Sequence, residues 1–297
     1  MNTRGDRRRV SLTASLLFVL ITPTAPAAQT RPATAAADVA WKTIEPGLEL
    51  RMMDGGAACR RGSPLIAVVR FQPERWRLDL FHESEGGAAG RRGLDVEEWR
   101  DRTGAAVMIN AGQYYPDHVP MGLFMKEGRN LGTRQIKSWK GLLVAEPARA
   151  GVPAAAILDL EHDAFDVATT PYRLALQSFM ILDRDGKKRV RRSEWHANRT
   201  ALATDRSGRL LALHTEGAYT LWELADWIAR SDLGVMQALS LDGGFESQLA
   251  INAGSTRYLS FGRWHVDDKG DHSIEGLRVP LPAVLGVFAR PAATSSR

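Results

Sequence analysis

The chain has 297 residues, of which 44% are hydrophobic and 25% charged, and its formal net charge is +5. This composition is that of a soluble globular protein with one large core or two modest ones. Residues 1–27 carry a net charge of +3, so the rest of the chain carries only +2. A net charge this small does not indicate binding to nucleic acid or to an anionic membrane surface. Cys59 is the single cysteine, which excludes an internal disulfide and a multi-cysteine zinc site.

The first 27 residues have the pattern of a signal peptide. Arg7-Arg8-Arg9 precedes a mostly apolar segment, 10–21, which is too short for a comfortable membrane span. Ala25-Pro26-Ala27 then provides the small residues of a cleavage site. We therefore expect a mature chain that starts near Ala28, is periplasmic or secreted, and has no stable membrane insertion once the signal is removed.

Short apolar runs between turn residues predict a strand-rich domain after an Ala/Thr/Pro-rich disordered linker, 28–40. The runs cover residues 65–69, 76–81, 105–109, 141–145, 155–160, 173–182, 200–204, 209–215, 238–241 and 283–289. The strongest hairpin joins 200–204 to 209–215 through Asp205-Arg206-Ser207-Gly208.

Two segments have helical patterns. Residues 95–103 place Val96 and Trp99 on one face, and Thr220-Leu221-Trp222-Glu223 is a capping box that begins a second helix. Strand, hairpin, helix and strand in succession predict an α+β (mixed α/β) fold over residues 41–297. We expect a strand-rich single domain with a few helices packed on a central sheet.

Several catalytic motifs are missing from the sequence. There is no GxSxG, no Walker phosphate loop, no GxGxxG and no HExxH, which argues against an α/β-hydrolase, a P-loop enzyme, a dinucleotide enzyme and a zincin. Asp183-Arg184-Asp185-Gly186 is similar to part of a calcium loop, but Ile181 and Arg192 stand at its first and twelfth positions. That segment is therefore predicted to be a hairpin turn.

The apolar run 238–241 ends abruptly in Asp242-Gly243-Gly244. One interpretation is an aspartate that caps the following turn with its own side chain. The other is a carboxylate aimed into a cleft, beside glycines that let a ligand come close to the backbone. This stretch alone favours the capping interpretation over the cleft interpretation.

Other polar residues also follow predicted strands, and their order along the chain resembles a known family. The segments are Asn110-Ala111-Gly112, Asn198-Arg199-Thr200-Ala201, Glu216-Gly217, Thr220-x-x-Glu223, and Leu241-Asp242-Gly243-Gly244 with Ser247. Over roughly 105–289 this order resembles the phosphodiester glycosidase family, which includes the uncovering enzymes of lysosomal mannose-6-phosphate tagging and exported bacterial members. Two departures are Ala111 within the family's usual NG pair and Phe245-Glu246 in place of a glycine- and serine-rich tail.

The resemblance implies an exported hydrolase that cleaves the glycosidic C1–O–P bond of a sugar-1-phosphodiester, in a glycan, cell-envelope or exopolysaccharide substrate. It implies a catalytic set of Asp242 as the carboxylate at the anomeric carbon, Arg199 as the phosphate clamp and Glu216 as acid/base. Polar strand-end residues and the glycines beside them are predicted to bind substrate; they are Asn110, Gly112, Gln177, His214, Gly243, Gly244 and Ser247.

Two questions stay open at this point. Asp242, Glu216 and Asn110 have hard oxygen ligands that suit calcium or magnesium, but the sequence assigns no metal site and no certain cofactor. The alternative function is a non-catalytic periplasmic protein that binds polysaccharide or peptidoglycan through the same cleft. In both cases the expected partner is a carbohydrate or sugar phosphate.

Overall fold

The computed structural model describes residues 40–85, 93–274 and 276–291, so the predicted signal peptide and almost all of the predicted linker lie outside it. Its first strands are β1 (Lys42–Glu45), β2 (Leu48–Asp54), β3 (Arg61–Phe71), β4 (Trp76–His82), β5 (Val107–Asn110), β6 (Phe124–Lys126), β7 (Arg129–Asn130), β8 (Gly141–Pro147), β9 (Ala155–Asp159) and β10 (Tyr172–Ser178). They continue with β11 (Met180–Leu182), β12 (His196–Ala197), β13 (Thr200–Asp205), β14 (Leu210–Ala218), β15 (Val235–Ser240), β16 (Gln248–Ala253), β17 (Thr256–Phe261), β18 (Trp264–Asp267), β19 (Gly270–Ser273) and β20 (Ala283–Ala289). The described part of the chain also forms two α-helices, α1 (Val96–Thr103) and α2 (Leu221–Arg230).

The strands form four antiparallel sheets. A seven-stranded sheet has the order β1-β2-β3-β14-β13-β15-β11, and two five-stranded sheets have the orders β7-β6-β10-β8-β9 and β17-β16-β5-β20-β4. A small sheet, β12-β18-β19, completes the set. The hairpin predicted from Asp205 to Gly208 is confirmed as the β13–β14 pair.

The main core lies between the seven-stranded sheet and the two five-stranded sheets. Alternation along β3 shows why: Val69 faces this core together with Leu285 of β20, whereas Ile66 and Val68 face the other side. On that other side they pack against Leu224 of α2. The seven-stranded sheet is therefore covered on both faces.

Both helices are short and lie on the outside of the sheets. The capping box predicted at the start of α2 is confirmed: the Glu223 amide donates to the Thr220 hydroxyl at 3.0 Å, and the Thr220 amide donates to the Glu223 carboxylate at 2.9 Å. Helix α1 packs Val96 and Trp99 against the outer face of the β5–β16–β20 region. Among the described residues, neither helix is long and apolar enough to cross a membrane.

The predicted α+β class, with helices on one central sheet, is wrong. The fold is mostly β, because the helices cover outer faces and the core is formed between sheets. The succession of hairpin, helix and strand predicted the mixed class, but β15 returns antiparallel beside β13, whereas a crossover helix joins parallel strands. Strands β1, β2 and β16 to β19 were also not predicted from the sequence.

Candidate active site

The candidate site lies where β13 begins beside the end of β15. Ala201 pairs with Ser240 in antiparallel register, and the Leu241 amide donates to the Thr200 carbonyl at 2.8 Å. Extending this register by two residues sets Arg199 opposite Asp242. Directly opposed residues of antiparallel strands project to the same face, which explains why these two charges influence each other's pKa.

Arg199 is held from behind by main-chain carbonyls. Its Nε donates to the Tyr219 carbonyl at 2.8 Å and one Nη2 proton goes to the Trp195 carbonyl at 2.7 Å. Within the described residues its Nη1 makes no hydrogen bond, so two donors of the guanidinium stay available. Burial lowers the pKa of Arg199 to about 10, with Asp242 and Glu223 opposing that shift, so the group is cationic at neutral pH.

Asp242 is fixed through its main chain and half-capped by its own turn. Its amide donates to the Ala111 carbonyl at 3.3 Å, and its carbonyl accepts from Asn110 Nδ2 at 2.9 Å. Its Oδ1 accepts from the Gly243 amide at 2.9 Å, and Oδ2 accepts no hydrogen bond from the described residues. Burial and the nearby Glu246 raise the pKa of Asp242 to about 7, while the Gly243 amide and Arg199 act in the other direction.

Gly243 is required by close contact and Gly244 by backbone conformation. A Cβ on Gly243 would lie 2.9 Å from the Asn198 carbonyl oxygen and 3.2 Å from Arg199 Nη1. Gly244 has φ of +73°, which favours glycine. Both predicted glycines thus keep the turn after Asp242 tight against Arg199. Gly112 follows Ala111, whose carbonyl accepts from the Asp242 amide, and a Cβ on Gly112 would meet Leu176 at 3.2 Å.

Three other predicted substrate-binding residues form a buried network instead. Thr200 Oγ1 donates to Asn110 Oδ1 at 2.7 Å and lies 2.8 Å from Ser247 Oγ, which in turn lies 3.1 Å from His214 Nδ1. His214 Nε2 lies 2.8 Å from Ser260 Oγ. His214 is fully buried, and burial lowers its pKa to about 3, so its ring is neutral. These side chains position Asp242 from inside the protein.

The side chains of Gln177 and Asn198 also hydrogen-bond to main-chain groups and not to the site. Gln177 Nε2 donates to the carbonyls of Ile136 and Trp139, each at 2.8 Å, and its Oε1 accepts from the amides of Ile136 and Leu123. Asn198 Oδ1 accepts from the amides of Arg263 and Trp264, each at 2.8 Å. Gln177 thus has no hydrogen-bonding position left for a sugar, whereas Asn198, whose Nδ2 also donates to the Thr215 carbonyl at 2.8 Å, keeps a single N–H.

The structure does not bring Glu216 to the Arg199–Asp242 pair. Its Oε1 accepts from the Tyr258 hydroxyl at 2.9 Å. Its charge is absent from those that shift the pKa of Arg199 or Asp242 among the described residues. Glu216 lies at an irregularity in the pairing of β14 with β3, which the sequence did not reveal.

Aromatic and acidic side chains that were not among the predicted site residues lie around the pair. Trp195 is 52% exposed, and its ring lies 5.6 Å from the Arg199 Cζ and 5.3 Å from the His265 ring. Phe245 lies 6.2 Å from His265. Burial raises the pKa of Tyr114, and the negative charges of Asp242 and Glu246 raise it further. The Phe245-Glu246 departure next to Asp242 was a usable signal; nothing in the sequence pointed to His265.

The candidate oxygen ligands Asp242, Glu216 and Asn110 are not brought together as a cation site. Asn110 Oδ1 accepts from Thr200 and from the Gln248 amide, and Glu216 bonds Tyr258, away from Asp242. In the part of the chain that the structure describes, no group of three or more His, Cys, Asp or Glu side chains is arranged to hold a metal.

Comparison with known proteins places the chain in a family. The model of the phosphodiester glycosidase family matches residues 103–288, which is more than half of the 297-residue chain. The chain therefore belongs to the phosphodiester glycosidase family, as the order of its polar motifs indicated. The class of hydrolase predicted from the sequence, a glycosidase, is the class of this family.

Two curated relatives share this region. N-acetylglucosamine-1-phosphodiester alpha-N-acetylglucosaminidase from Bos taurus is 27% identical over 205 residues, covering 59% of this chain and 36% of the bovine protein. The Homo sapiens protein of that name is 26% identical over 205 residues, covering 59% of this chain and 37% of its own length. The chain thus spans little more than a third of either relative.

Solved structures share the fold. A hypothetical protein from Synechocystis matches with a TM-score of 0.54 and 17% identity, over 88% of this chain and 65% of its own. The zebrafish N-acetylglucosamine-1-phosphodiester alpha-N-acetylglucosaminidase catalytic domain, auto-inhibited by its pro-peptide, matches with a TM-score of 0.53 and 17% identity, over 86% and 83% of the two chains. At this identity the likeness concerns the fold alone.

Proposed function

We propose that this protein hydrolyses the glycosidic C1–O–P bond of a sugar-1-phosphodiester, releasing the sugar and a phosphomonoester. The observation that carries the proposal is the apposition of Arg199, with free Nη1 donors, and the partly buried Asp242 carboxylate at adjacent ends of neighbouring strands. A guanidinium suits the phosphate, and a carboxylate suits the anomeric carbon of the same linkage. Family membership supports the same reaction.

The two groups divide the chemistry between them. A phosphomonoester is an acidic leaving group, so it departs without strong general-acid help. Arg199 instead offsets the charge that grows on the phosphate oxygens, and its two carbonyl anchors keep its donors aimed without reorganisation. Asp242 stabilises the positive charge that develops on the sugar ring, or attacks the anomeric carbon as a nucleophile. The anionic phosphate of a bound phosphodiester opposes ionisation of Asp242, and the positive charge of Arg199 offsets that effect.

Substrate and location extend this proposal. The curated relatives are named for N-acetylglucosamine-1-phosphodiester, so an α-N-acetylglucosamine-1-phosphodiester is the first substrate to assay. Exposed Trp195 supplies an apolar face for a sugar ring at the rim. Action on a cell-envelope glycan or exopolysaccharide outside the cytoplasm rests on the signal pattern of residues 1–27 and stays a prediction.

The test measures the turnover of two substrates by the wild type and by two variants. Asp242→Asn should lower kcat on the phosphodiester by about 10²–10⁴-fold, because the transition-state charge loses its counterion. Arg199→Lys should weaken turnover of the phosphodiester about 10-fold or more, and that of an uncharged aryl glycoside of the same sugar much less, since only the former needs the planar fork.

Three outcomes separate the possibilities. Near-native turnover by Asp242→Asn would remove Asp242 from the mechanism. Equal losses on both substrates in Arg199→Lys would contradict the phosphate clamp. A wild-type protein that binds glycan in isothermal titration but turns over neither substrate would favour the alternative function, a non-catalytic polysaccharide-binding protein.

A further inference from the structure

One acidic side chain beside the site has no structural task. Glu246 ends the 3₁₀ turn Gly244–Glu246, four residues after Asp242, and is partly buried. Within the described residues its carboxylate receives no hydrogen bond from another residue; its own amide is its hydrogen-bond partner. A partly buried carboxylate that neither caps a helix nor accepts a hydrogen bond from another residue lowers the stability of the fold, which makes its position informative.

The turn aims Glu246 at an open point next to Asp242. Gly244 leaves a hollow at the place where a Cβ would stand, and Glu246 Oε2 and His265 Nδ1 each lie 3.7 Å from that place. Glu246 and His265 therefore flank one small space over the turn. His265 is itself held by Asp267, whose carboxylate lies 3.4 Å from Nε2, and by ring contact with Trp195.

The charged groups around Glu246 come from several elements. Asp242 follows β15, Tyr114 follows β5, and His265 stands on β18. Glu246 raises the pKa of both Asp242 and Tyr114, and its own pKa is raised by burial and lowered by His265. Asp242 and Glu246 thus form a pair of neighbouring carboxylates, of which only Asp242 is also influenced by Arg199.

The proposed reaction needs a second carboxylate of this kind. A water must attack the anomeric carbon, or the sugar ester of Asp242, and must lose a proton as its oxygen bonds to carbon. In glycosidases, this proton is accepted by a carboxylate other than the one that lies against the sugar ring. Glu216 was the residue predicted for acid/base work, but it is bound to Tyr258 away from the pair.

We propose that Glu246 is the general base that accepts a proton from the attacking water, and that His265 is a positioning residue that holds Glu246 over Gly244. The water oxygen bonds to the anomeric carbon and the bond from that carbon to its leaving oxygen breaks. The electron pair goes to the leaving oxygen, and the water proton goes to Glu246 and then to solvent. This inference rests on the proposed phosphodiester hydrolysis.

The experiment compares Glu246→Gln and Glu246→Ala with Glu194→Gln, which alters an exposed glutamate outside the site. Glu246→Gln should lower kcat on the α-N-acetylglucosamine-1-phosphodiester by about 10²–10⁴-fold and change KM by less than about threefold. In Glu246→Ala, sodium azide should restore turnover and yield a glycosyl azide, because azide attacks carbon without giving up a proton. Glu194→Gln should match the wild type.

The outcomes separate this inference from the function on which it rests. An inactive wild type contradicts the proposed function. An active wild type with Glu246→Gln within about threefold of its kcat overturns only the role of Glu246. Loss of activity that azide does not reverse in Glu246→Ala also contradicts the base, since the folded site would then fail for another reason. His265→Gln should lower kcat less than Glu246→Gln and give no glycosyl azide in azide.

Discussion

At the scale of single residues, Asn110 shows how a polar side chain at a strand end can serve the site without touching substrate. Its Oδ1 accepts from the Thr200 hydroxyl at 2.7 Å and from the Gln248 amide at 3.1 Å, and its Nδ2 donates to the Asp242 carbonyl at 2.9 Å. The side chain is almost fully buried. It connects three segments of chain at the point where the candidate catalytic carboxylate leaves its strand.

We expect Asn110→Ala to lower both stability and turnover. Its buried partners lose their hydrogen bonds, which costs about 1–3 kcal/mol for each group left unsatisfied. The Asp242 carbonyl loses the hydrogen bond from Asn110 Nδ2 that positions it. We therefore expect a larger fold-change in kcat than in KM. Urea unfolding and steady-state kinetics measure both effects.

The control for that change is Asn252→Ala, because Asn252 is exposed on the adjacent strand β16. Asn252→Ala should keep the wild-type unfolding midpoint and activity. An Asn110→Ala protein with the same midpoint as the wild type would show that the network does not hold this end of the sheet.

The sequence could predict which residues matter more easily than what each one does. The pairing of Arg199 with Asp242 follows from a recognisable hairpin and a strand that returns beside it. By contrast, Gln177 and Glu216 occupy similar strand-end positions, yet one faces carbonyls of the scaffold and the other faces Tyr258. Those directions depend on strand register and on contacts from distant segments, which a local pattern does not contain.

At the scale of elements, the small sheet β12-β18-β19 and the segment leading into it close one side of the site. Strands β18 and β19 are polar and carry little hydrophobic alternation, so they left no strand signal in the sequence. Their position is fixed by long-range contacts: Asn198 binds the amides at the start of β18, and the Gly244 amide donates to the Asn198 carbonyl at 2.9 Å.

Gly262 lets this segment touch the turn that follows Asp242. A Cβ on Gly262 would lie 2.9 Å from the Ser247 carbonyl oxygen and much closer still to that of Gly244. Gly262→Ala must therefore push two backbones apart. We expect a loss of stability of about 1–3 kcal/mol and a fall in kcat/KM of about tenfold or more, measured by thermal unfolding and initial rates.

Gly208→Ala provides a matched control for that strain. Gly208 has φ of +79° at the tip of the β13–β14 hairpin, with open space where a Cβ would stand. An alanine there costs about 1–2 kcal/mol from the left-handed conformation, far from the turn after Asp242. If both variants lost the same fraction of activity, the effect of Gly262→Ala would be general destabilisation, not displacement of the site.

At the scale of the whole molecule, the site is supported by a polar network that crosses the apolar core between two sheets. Ser260 of β17, His214 of β14, Ser247, Thr200 of β13 and Asn110 of β5 follow one another in hydrogen-bonding contact. The network links the seven-stranded sheet to the five-stranded sheet that contains β5. Because every member except the partly buried Ser260 is buried, the protonation state of the network should affect the stability of the whole fold.

His214 should make the protein less stable in mild acid. Burial lowers its pKa from 6.5 to about 3, so below pH 6.5 the unfolded chain binds a proton that the folded chain refuses. The stabilising contribution is complete above pH 6.5 and is lost as the pH falls toward 3, by about 1.4 kcal/mol per pH unit at most. Asp242 acts in the opposite sense, since its raised pKa favours the folded state as pH falls below 7.

Comparison of the wild type with His214→Gln isolates the histidine, because Asp242 is present in both. The wild type should lose its stability advantage over His214→Gln by about 1 kcal/mol between pH 7.5 and pH 5.5 in urea unfolding experiments. His162→Gln, which removes a histidine whose side chain is 50% exposed, supplies the baseline for losing a titratable ring. A constant difference between wild type and His214→Gln across this range would mean that His214 accepts a proton inside the folded protein, and the network would then have to accommodate a charge at its centre.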